Sequence, residues 1–144
     1  MCLEPCTLCL QHEIMQSSNL QFIGKISSPL KSIEDCPLQE DENAPEATLI
    51  IATEFKEGIK DITVGSELLL LTWLHKADRT VLKCIRRNNY NTPMVGVFST
   101  RSPDRPNPIG VHEVKVIAIT DDGGIRVSEL EVLDGTPLID IKPL

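Results

Sequence analysis

The stretch from Val111 to Leu133, VHEVKVIAITDDGGIRVSELEVL, gives the strongest indication of the fold. Its first half, Val111–Thr120, alternates apolar and polar residues, which is the period-two pattern of a strand with one buried face. Asp121–Gly124 then supplies residues that accept positive φ, and Ile125–Leu133 returns as the partner strand. The stretch therefore predicts an antiparallel hairpin.

Short apolar or β-branched runs on both sides of this hairpin predict further strands. Helical turns are expected in only two places, Phe55–Asp61 and Cys6–Met15. About seven short strands with one or two helical turns indicate an all-β fold, either a closed barrel or a sandwich. The predicted strands outside the hairpin are Phe22–Ile26, Ala47–Thr53, Glu67–His75, Thr80–Arg86, Met94–Ser99 and Leu138–Ile141.

Length and composition limit the kind of protein that this chain can be. Its 144 residues are 41% hydrophobic and 24% charged, which suits one soluble domain. We expect that domain to span residues 20–144, after a separate N-terminal tail of residues 1–19. The net charge of -7 argues against a generally basic nucleic-acid binder, and the 3% of aromatic residues argues against a platform of several stacked bases.

The sequence also predicts a cytoplasmic protein. The longest apolar stretch, Leu68–Leu74, is too short to span a bilayer, and the N-terminus lacks the features of a signal peptide. The five cysteines are odd in number and three of them crowd one end, unlike a disulfide framework.

The most unusual segment is the loop Phe98–Gly110, FSTRSPDRPNPIG, with three prolines in six residues. Such a segment cannot be a helix interior or a central strand, so it predicts a rigid, irregular loop. Arg101 and Arg105 lie in this loop, and arginine forks bind carboxylate or phosphate groups. The alternative is a strand connection that is rigid only for stability, with Asp104 and Arg105 as a surface pair.

The charges of the chain are polarised along its length. Residues 79–105 hold six basic residues and one acidic residue, Asp104. Such a basic patch can attract phosphates by releasing counterions. The alternative is a strand edge whose positive residues prevent pairing with other sheets.

Metal sites have little support in the sequence. Cys2, Cys6 and Cys9 have the C-x3-C-x2-C spacing that resembles the cluster triad of radical enzymes, but the chain lacks the length and the βα alternation of those enzymes. The histidines His12 and His75, like His112, show no paired metal spacing. We expect no metal, and a frayed tail with free cysteines.

Three runs resemble one known family. They are GVFSTRSPDRPNPIGVH (Gly96–His112), LDGTPLIDIKP (Leu133–Pro143) and LQFIGKISSP (Leu20–Pro29). They resemble the TsaA-like family of S-adenosylmethionine-dependent methyltransferases, which act on N6 of threonylcarbamoyladenosine at position 37 of tRNA. The resemblance implies a small closed β-barrel, a homodimer, and S-adenosylmethionine bound near the dimer interface, with tRNA as substrate and no membrane partner.

The resemblance also implies which residues contact the cofactor. Two early contacts depart from the family pattern, because Leu38 replaces an arginine and Lys76 replaces a glutamine. The cofactor contacts implied by the family are Pro37, Leu38, Gln39, His75, Lys76, Arg101, Val111, Asp134, Gly135, Thr136 and Pro137.

Methyl transfer needs alignment of the donor with the attacking nitrogen more than it needs a strong base. We expect the catalytic group to lie in the proline-rich loop, at Asn107 and Arg105, with Asn107 or a nearby carbonyl accepting the amine proton. Two alternatives stay open: a non-catalytic module that binds S-adenosylmethionine or a nucleoside, and a radical protein that uses the N-terminal cysteines.

Overall fold

The computed structural model of the chain describes residues 18–36, 44–86 and 90–144. Those residues form eight strands and three short 3₁₀ helices, at Ile33–Asp35, Thr53–Ile59 and Val97–Ser99. The strands are β1 (Gly24–Ser27), β2 (Ala47–Ile51), β3 (Glu67–Trp73), β4 (Lys83–Cys84), β5 (Val95–Gly96), β6 (Ile109–Ile119), β7 (Ile125–Val127) and β8 (Pro137–Pro143).

Six of these strands close into a barrel in the order β1-β2-β7-β6-β3-β8, with antiparallel pairing throughout. Strands β4 and β5 form a separate two-stranded ribbon. The all-β prediction is confirmed, and of the two architectures the closed barrel is the one observed. The helical turn predicted at Phe55–Asp61 is also confirmed, whereas Cys6–Met15 lies outside the described residues.

The interior of the barrel is aliphatic, as the scarcity of aromatic residues requires. On β6 the buried residues alternate with exposed ones along almost the whole strand, so one face of the strand lines the core. Full burial of a Leu, Ile or Val side chain contributes roughly 1.5–3 kcal/mol. The fully buried aliphatic side chains include Ile26, Leu49, Leu70, Val116, Ile125, Val127, Leu130 and Leu138.

The partner strand of the hairpin is shorter than predicted, because β7 ends at Val127. Ile125 and Val127 point into the barrel, so a continued strand would also turn the exposed Glu129 toward the core. The chain instead leaves the ladder, and Leu130 and Val132 become the buried residues. The segment 128–136 thus closes one end of the barrel with Leu130 and Val132, and with Glu131, whose carboxylate contacts the buried His112.

The ribbon also differs from the prediction. Thr80–Arg86 and Met94–Ser99 each contribute only two residues to a strand. Within the second run Val97 is buried, but Met94 and Phe98 are 59% and 78% exposed. The interpretation of Met94–Ser99 as a buried strand was therefore wrong, since the ribbon lies outside the barrel and covers no core.

Candidate functional site

One rim of the barrel collects the predicted site segments. Trp73 at the end of β3 pairs with Ile109 at the start of β6, and Thr72 pairs with Leu138 of β8. Lys25 of β1 pairs with Pro137 at the start of β8. The connections 74–82, 97–108 and 128–136 therefore all lie at this rim, together with the connection from β1 to β2. We call this end of the barrel the site rim.

The proline-rich loop is fastened to the turn after β3. The Asp78 amide donates to the Asp104 carboxylate at 2.8 Å, and the Arg79 Nε donates to the Pro106 carbonyl at 2.7 Å. The Arg79 guanidinium also lies over the Trp73 ring, 5.1 Å from its centroid. These contacts fix the loop against the barrel, so its rigidity comes from partners as well as from proline.

Arg105 braces the same loop from inside. Its two terminal nitrogens donate to the backbone carbonyls of Val97, Thr100 and Ser102 at 2.9–3.1 Å. A guanidinium is only a donor, so these bonds use it to hold the loop in shape. The contacts give Arg105 a positioning role, and its predicted part in catalysis stays a prediction.

Arg101 and Asn107 face outward from the loop. Arg101 is exposed and makes no hydrogen bond to a described residue, so its guanidinium can receive a carboxylate or phosphate. Asn107 is also exposed, and its Oδ1 accepts a long 3.4 Å contact from the Arg79 guanidinium. The loop therefore presents one cation and one amide at the rim.

The segment Asp134–Pro137 forms a tight turn at the start of β8. Gly135 has a φ of 81°, which favours glycine at this position. The Asp134 carboxylate accepts from the Ser28 amide at 2.9 Å and pairs with the Lys31 ammonium at 2.8 Å. The Lys31 hydrogen bond, followed by that of Ser28, lowers the pKa of Asp134. The turn is thus tied to the end of β1, and its backbone faces the site rim.

The other predicted contacts lie at different distances from this rim. His75 and Lys76 are exposed in the turn after β3, and partial burial followed by the Lys76 charge lowers the pKa of His75. Val111 is 38% exposed on the outer face of β6, where it pairs with Leu71. The structure brings His75, the proline-rich loop and the 134–137 turn to one end. Pro37, Leu38 and Gln39 lie outside the described residues.

A cavity of about 350 Å³ lies at the β1–β2 part of the site rim, between the end of β1 and the start of β2. It is lined by Ser27–Pro29, Glu46–Thr48 and Arg126, and by none of the predicted contacts. Ser28 links the cavity to the 134–137 turn, because its amide donates to the Asp134 carboxylate. We place the candidate site at the proline-rich loop and the 134–137 turn, because the Arg126 guanidinium in the cavity is already paired with Glu46, whereas Arg101 of the loop is exposed.

Sequence reasoning missed a buried polar group inside the barrel. His112 is 4% exposed; its Nε2 lies 2.8 Å from Thr72 Oγ1, and its Nδ1 lies 2.6 Å from Glu131 Oε1. A Cβ on Gly110 would lie 2.5 Å from that Thr72 oxygen. Gly110 and His112 both lie in the run Gly96–His112. A glycine two residues before a histidine, on a strand with one buried face, was the sequence pattern that could have indicated this buried histidine.

Two other sequence expectations concern ions and membranes. Among residues 18–36, 44–86 and 90–144, no group of three His, Cys, Asp or Glu side chains is placed to hold a metal ion. Cys2, Cys6 and Cys9 lie outside those residues. Within the part of the chain that the structure describes, no helix is long and apolar enough to span a bilayer.

Comparison with protein families identifies the domain over most of its length. Residues 25–144 match the model of the tRNA-methyltransferase O N-terminal domain. A crystal structure of TrmO from Pseudomonas aeruginosa superposes with a TM-score of 0.70 at 29% identity, covering 90% of this chain and 57% of that chain. This chain therefore spans a little over half of the length of that solved protein.

Three curated relatives carry names that mention binding of S-adenosyl-L-methionine. A protein of Rhizobium radiobacter named probable S-adenosyl-L-methionine-binding protein VirR is 40% identical over 126 residues, which are 88% of this chain and 70% of the relative. A probable S-adenosyl-L-methionine-binding protein of Archaeoglobus fulgidus is 38% identical over 90% of this chain, which spans only 34% of that protein. One from Methanothermobacter thermautotrophicus is 37% identical, with 84% and 85% of the two chains covered.

Proposed function

Since this chain belongs to the family of the tRNA-methyltransferase O N-terminal domain, we propose that it binds S-adenosylmethionine at the site rim and methylates tRNA. The acceptor that we propose is N6 of threonylcarbamoyladenosine at position 37. The observation that carries the proposal is the proline-rich loop, which is braced by Arg79 and Arg105 while Arg101 keeps its guanidinium exposed.

The groups at the rim fit this cofactor. Arg101 can bind the carboxylate of the methionine part by a charge-assisted hydrogen bond. The turn Asp134–Pro137 and the exposed His75 can contact the nucleoside part at the same end of the barrel. When bound, S-adenosylmethionine supplies an electrophilic methyl group on a sulfonium sulfur.

The protein's own part in the reaction is alignment and proton acceptance. As the N–C bond forms, the S–C bond breaks, S-adenosylhomocysteine leaves, and N6 gives up a proton to water. We propose that Asn107 Oδ1, or a neighbouring carbonyl of the loop, accepts a hydrogen bond from that N–H and so orients the nitrogen and stabilises its developing charge. An Asn107→Ala variant should lower the single-turnover rate and leave cofactor affinity unchanged; a full rate would remove Asn107 from this role.

We propose a homodimer joined through the outer face of β3 and β6. This face carries Leu71, Trp73, Ile109 and Val111, and Ile109 and Val111 are 40% and 38% exposed although they are large and apolar. Val111 is also an implied cofactor contact, so pairing through this face would bring the cofactor close to the interface. Light scattering should give twice the chain mass, and an active monomer would contradict the proposal.

The cytoplasm, which holds tRNA and the cofactor, is the location that we propose.

A second candidate function is favoured by the names of the relatives, which mention binding of S-adenosylmethionine and no transfer. In that case the same rim would hold the cofactor without an acceptor.

Radiolabelled transfer separates the two functions. The protein is incubated with S-adenosylmethionine labelled in its methyl group and with tRNA that contains or lacks threonylcarbamoyladenosine. Label in the modified tRNA alone supports the proposed enzyme, and label in neither tRNA with intact cofactor binding supports the binding module. Arg101→Ala is the negative control, and Lys60→Ala, a change of an exposed cation at the opposite end of the barrel, is its matched control.

A further inference from the structure

The ribbon of β4 and β5, with the turn that follows it, has a composition unlike the rest of the chain. Residues 79–105 carry six basic residues and one acidic residue. Among the described residues, the exposed cations on the ribbon itself are Lys83 and Arg86, whereas Arg79 and Arg105 are bonded to the proline-rich loop. The ribbon covers no core, and its exposed side chains include Leu82, Lys83, Arg86, Met94 and Phe98. A positive, partly apolar ribbon on an acidic protein indicates a negatively charged partner that also offers flat apolar surfaces.

Phe98 is the feature that points to the kind of partner. It is one of three phenylalanines in the chain, and 78% of it is exposed. The Arg86 guanidinium donates to the Ser99 carbonyl at 2.9 Å, which holds a cation next to Phe98 along the chain. Proteins that bind single-stranded RNA use exposed rings to stack bases and cations to neutralise phosphates, and this segment offers both kinds of side chain.

Gly96 gives a second, independent observation. It pairs with the exposed Lys83, and a Cβ added to it would meet no atom within 4 Å. Its φ of -61° and ψ of 140° are open to any residue. The fold therefore does not require glycine here, and a glycine that leaves the backbone bare lets a ligand approach closely.

We propose that this ribbon face, made by Lys83, Arg86, Gly96 and Phe98, binds the single-stranded loop of the substrate RNA. Phe98 stacks on one unpaired base, and Lys83 and Arg86 contact phosphates. Arg101 follows Phe98 by three residues, so the bound loop lies next to the proposed cofactor site. The inference rests on the proposed function and assigns the surface that holds its substrate.

The test measures binding of a 17-nucleotide anticodon stem-loop RNA by fluorescence anisotropy, using the full chain without cofactor. Phe98→Ala should weaken binding by about 5- to 100-fold, whereas Phe98→Trp should keep the affinity because it preserves stacking. Gly96→Val should weaken binding without altering the circular dichroism spectrum.

The phosphate contacts are tested by the dependence of RNA affinity on salt. Lys83→Gln and Arg86→Gln should each lower the slope of log affinity against log salt concentration by roughly 0.7. The matched control is Ile119→Ala, which removes an exposed apolar side chain at the opposite end of the barrel and should leave affinity unchanged.

Two results would overturn the inference. One is an RNA affinity that stays within twofold for both folded variants Phe98→Ala and Gly96→Val. The other is a change in oligomeric state in place of RNA affinity, which would make the ribbon a contact between copies of the chain. If the wild type binds RNA through the ribbon but transfers no methyl group, the proposed enzyme fails and the ribbon assignment stands. If it transfers methyl groups with an unchanged KM for tRNA in Phe98→Ala, the ribbon assignment alone fails.

Discussion

His112 and Thr72 are hydrogen-bonded inside the barrel, with 2.8 Å between the Nε2 and Oγ1 atoms. The bond joins β6 to β3 beneath the site rim. On its other side the His112 ring is held by Glu131, which lies in the segment that closes the barrel. Three elements of the rim therefore meet at one imidazole.

Gly110 is the residue that this pair needs. A Cβ at this position would lie 2.5 Å from Thr72 Oγ1 and 2.6 Å from His112 Nε2, so Gly110→Ala should separate the two side chains. Loss of a buried hydrogen bond together with overpacking should cost about 1–3 kcal/mol of the free energy of unfolding. Urea denaturation measures it. Gly58→Ala lies inside the helix Thr53–Ile59, where a Cβ meets no atom within 4 Å, so it should not lower stability. Equal losses in the two variants would contradict the steric explanation.

Arg105→Lys should loosen the proline-rich loop. A lysine keeps the charge but has one nitrogen in place of the fork that reaches three carbonyls. We expect a loss of about 1–3 kcal/mol in stability and faster amide exchange in residues 97–105. Hydrogen exchange measures the second effect. Unchanged exchange in this loop would show that other contacts suffice to hold it.

Lys76→Gln should raise the pKa of His75 toward its ordinary value. Partial burial, the larger cause, would still lower this pKa, so the return should be incomplete. The pKa of His75 is lower in the folded protein than in the unfolded chain, so the folded protein favours the neutral ring. The stability that His75 contributes is therefore fully present above the unfolded pKa. It is lost as the pH falls from there through the folded pKa. A titration followed by NMR measures the pKa in both proteins, and a pKa that does not move would exclude the Lys76 charge as a cause.

Arg101→Ala should weaken the binding of S-adenosylmethionine by roughly 10- to 150-fold, because a hydrogen bond between charged groups contributes about 1.5–3 kcal/mol. Calorimetry measures this affinity. Lys60→Ala should bind as the wild type does. An affinity of Arg101→Ala equal to that of this control would remove Arg101 from the site.

The all-β fold could be predicted from local patterns because alternation along β6 and the Asp121–Gly124 turn are short-range signals, whereas the choice of a closed barrel over a sandwich came from the family resemblance. The early end of β7 could not be predicted from such patterns. On β7 the odd-numbered residues are buried up to Val127, but the even-numbered Leu130 and Val132 are buried after it. Two-residue strands such as Lys83–Cys84 give no periodic signal at all.

The candidate site divides in the same way. The proline-rich loop is visible in the sequence because its residue types are unusual. His75 and the Asp134–Pro137 turn lie at the same rim as this loop, but the sequence alone does not show it. Only the strand order brings His75 and Asp134, which are 59 positions apart, to one end of the barrel. Arg79 and Arg105 stabilise the loop by donating hydrogen bonds to backbone carbonyls. Every residue has a backbone carbonyl, so the sequence does not indicate which ones these side chains bind.

A crystal structure with bound S-adenosylmethionine shows whether the cofactor occupies the site rim. We expect its density at the site rim, with the methionine carboxylate on Arg101 and the nucleoside against the Asp134–Pro137 turn. Density at another place on the barrel, or saturated crystals without any, would contradict the account.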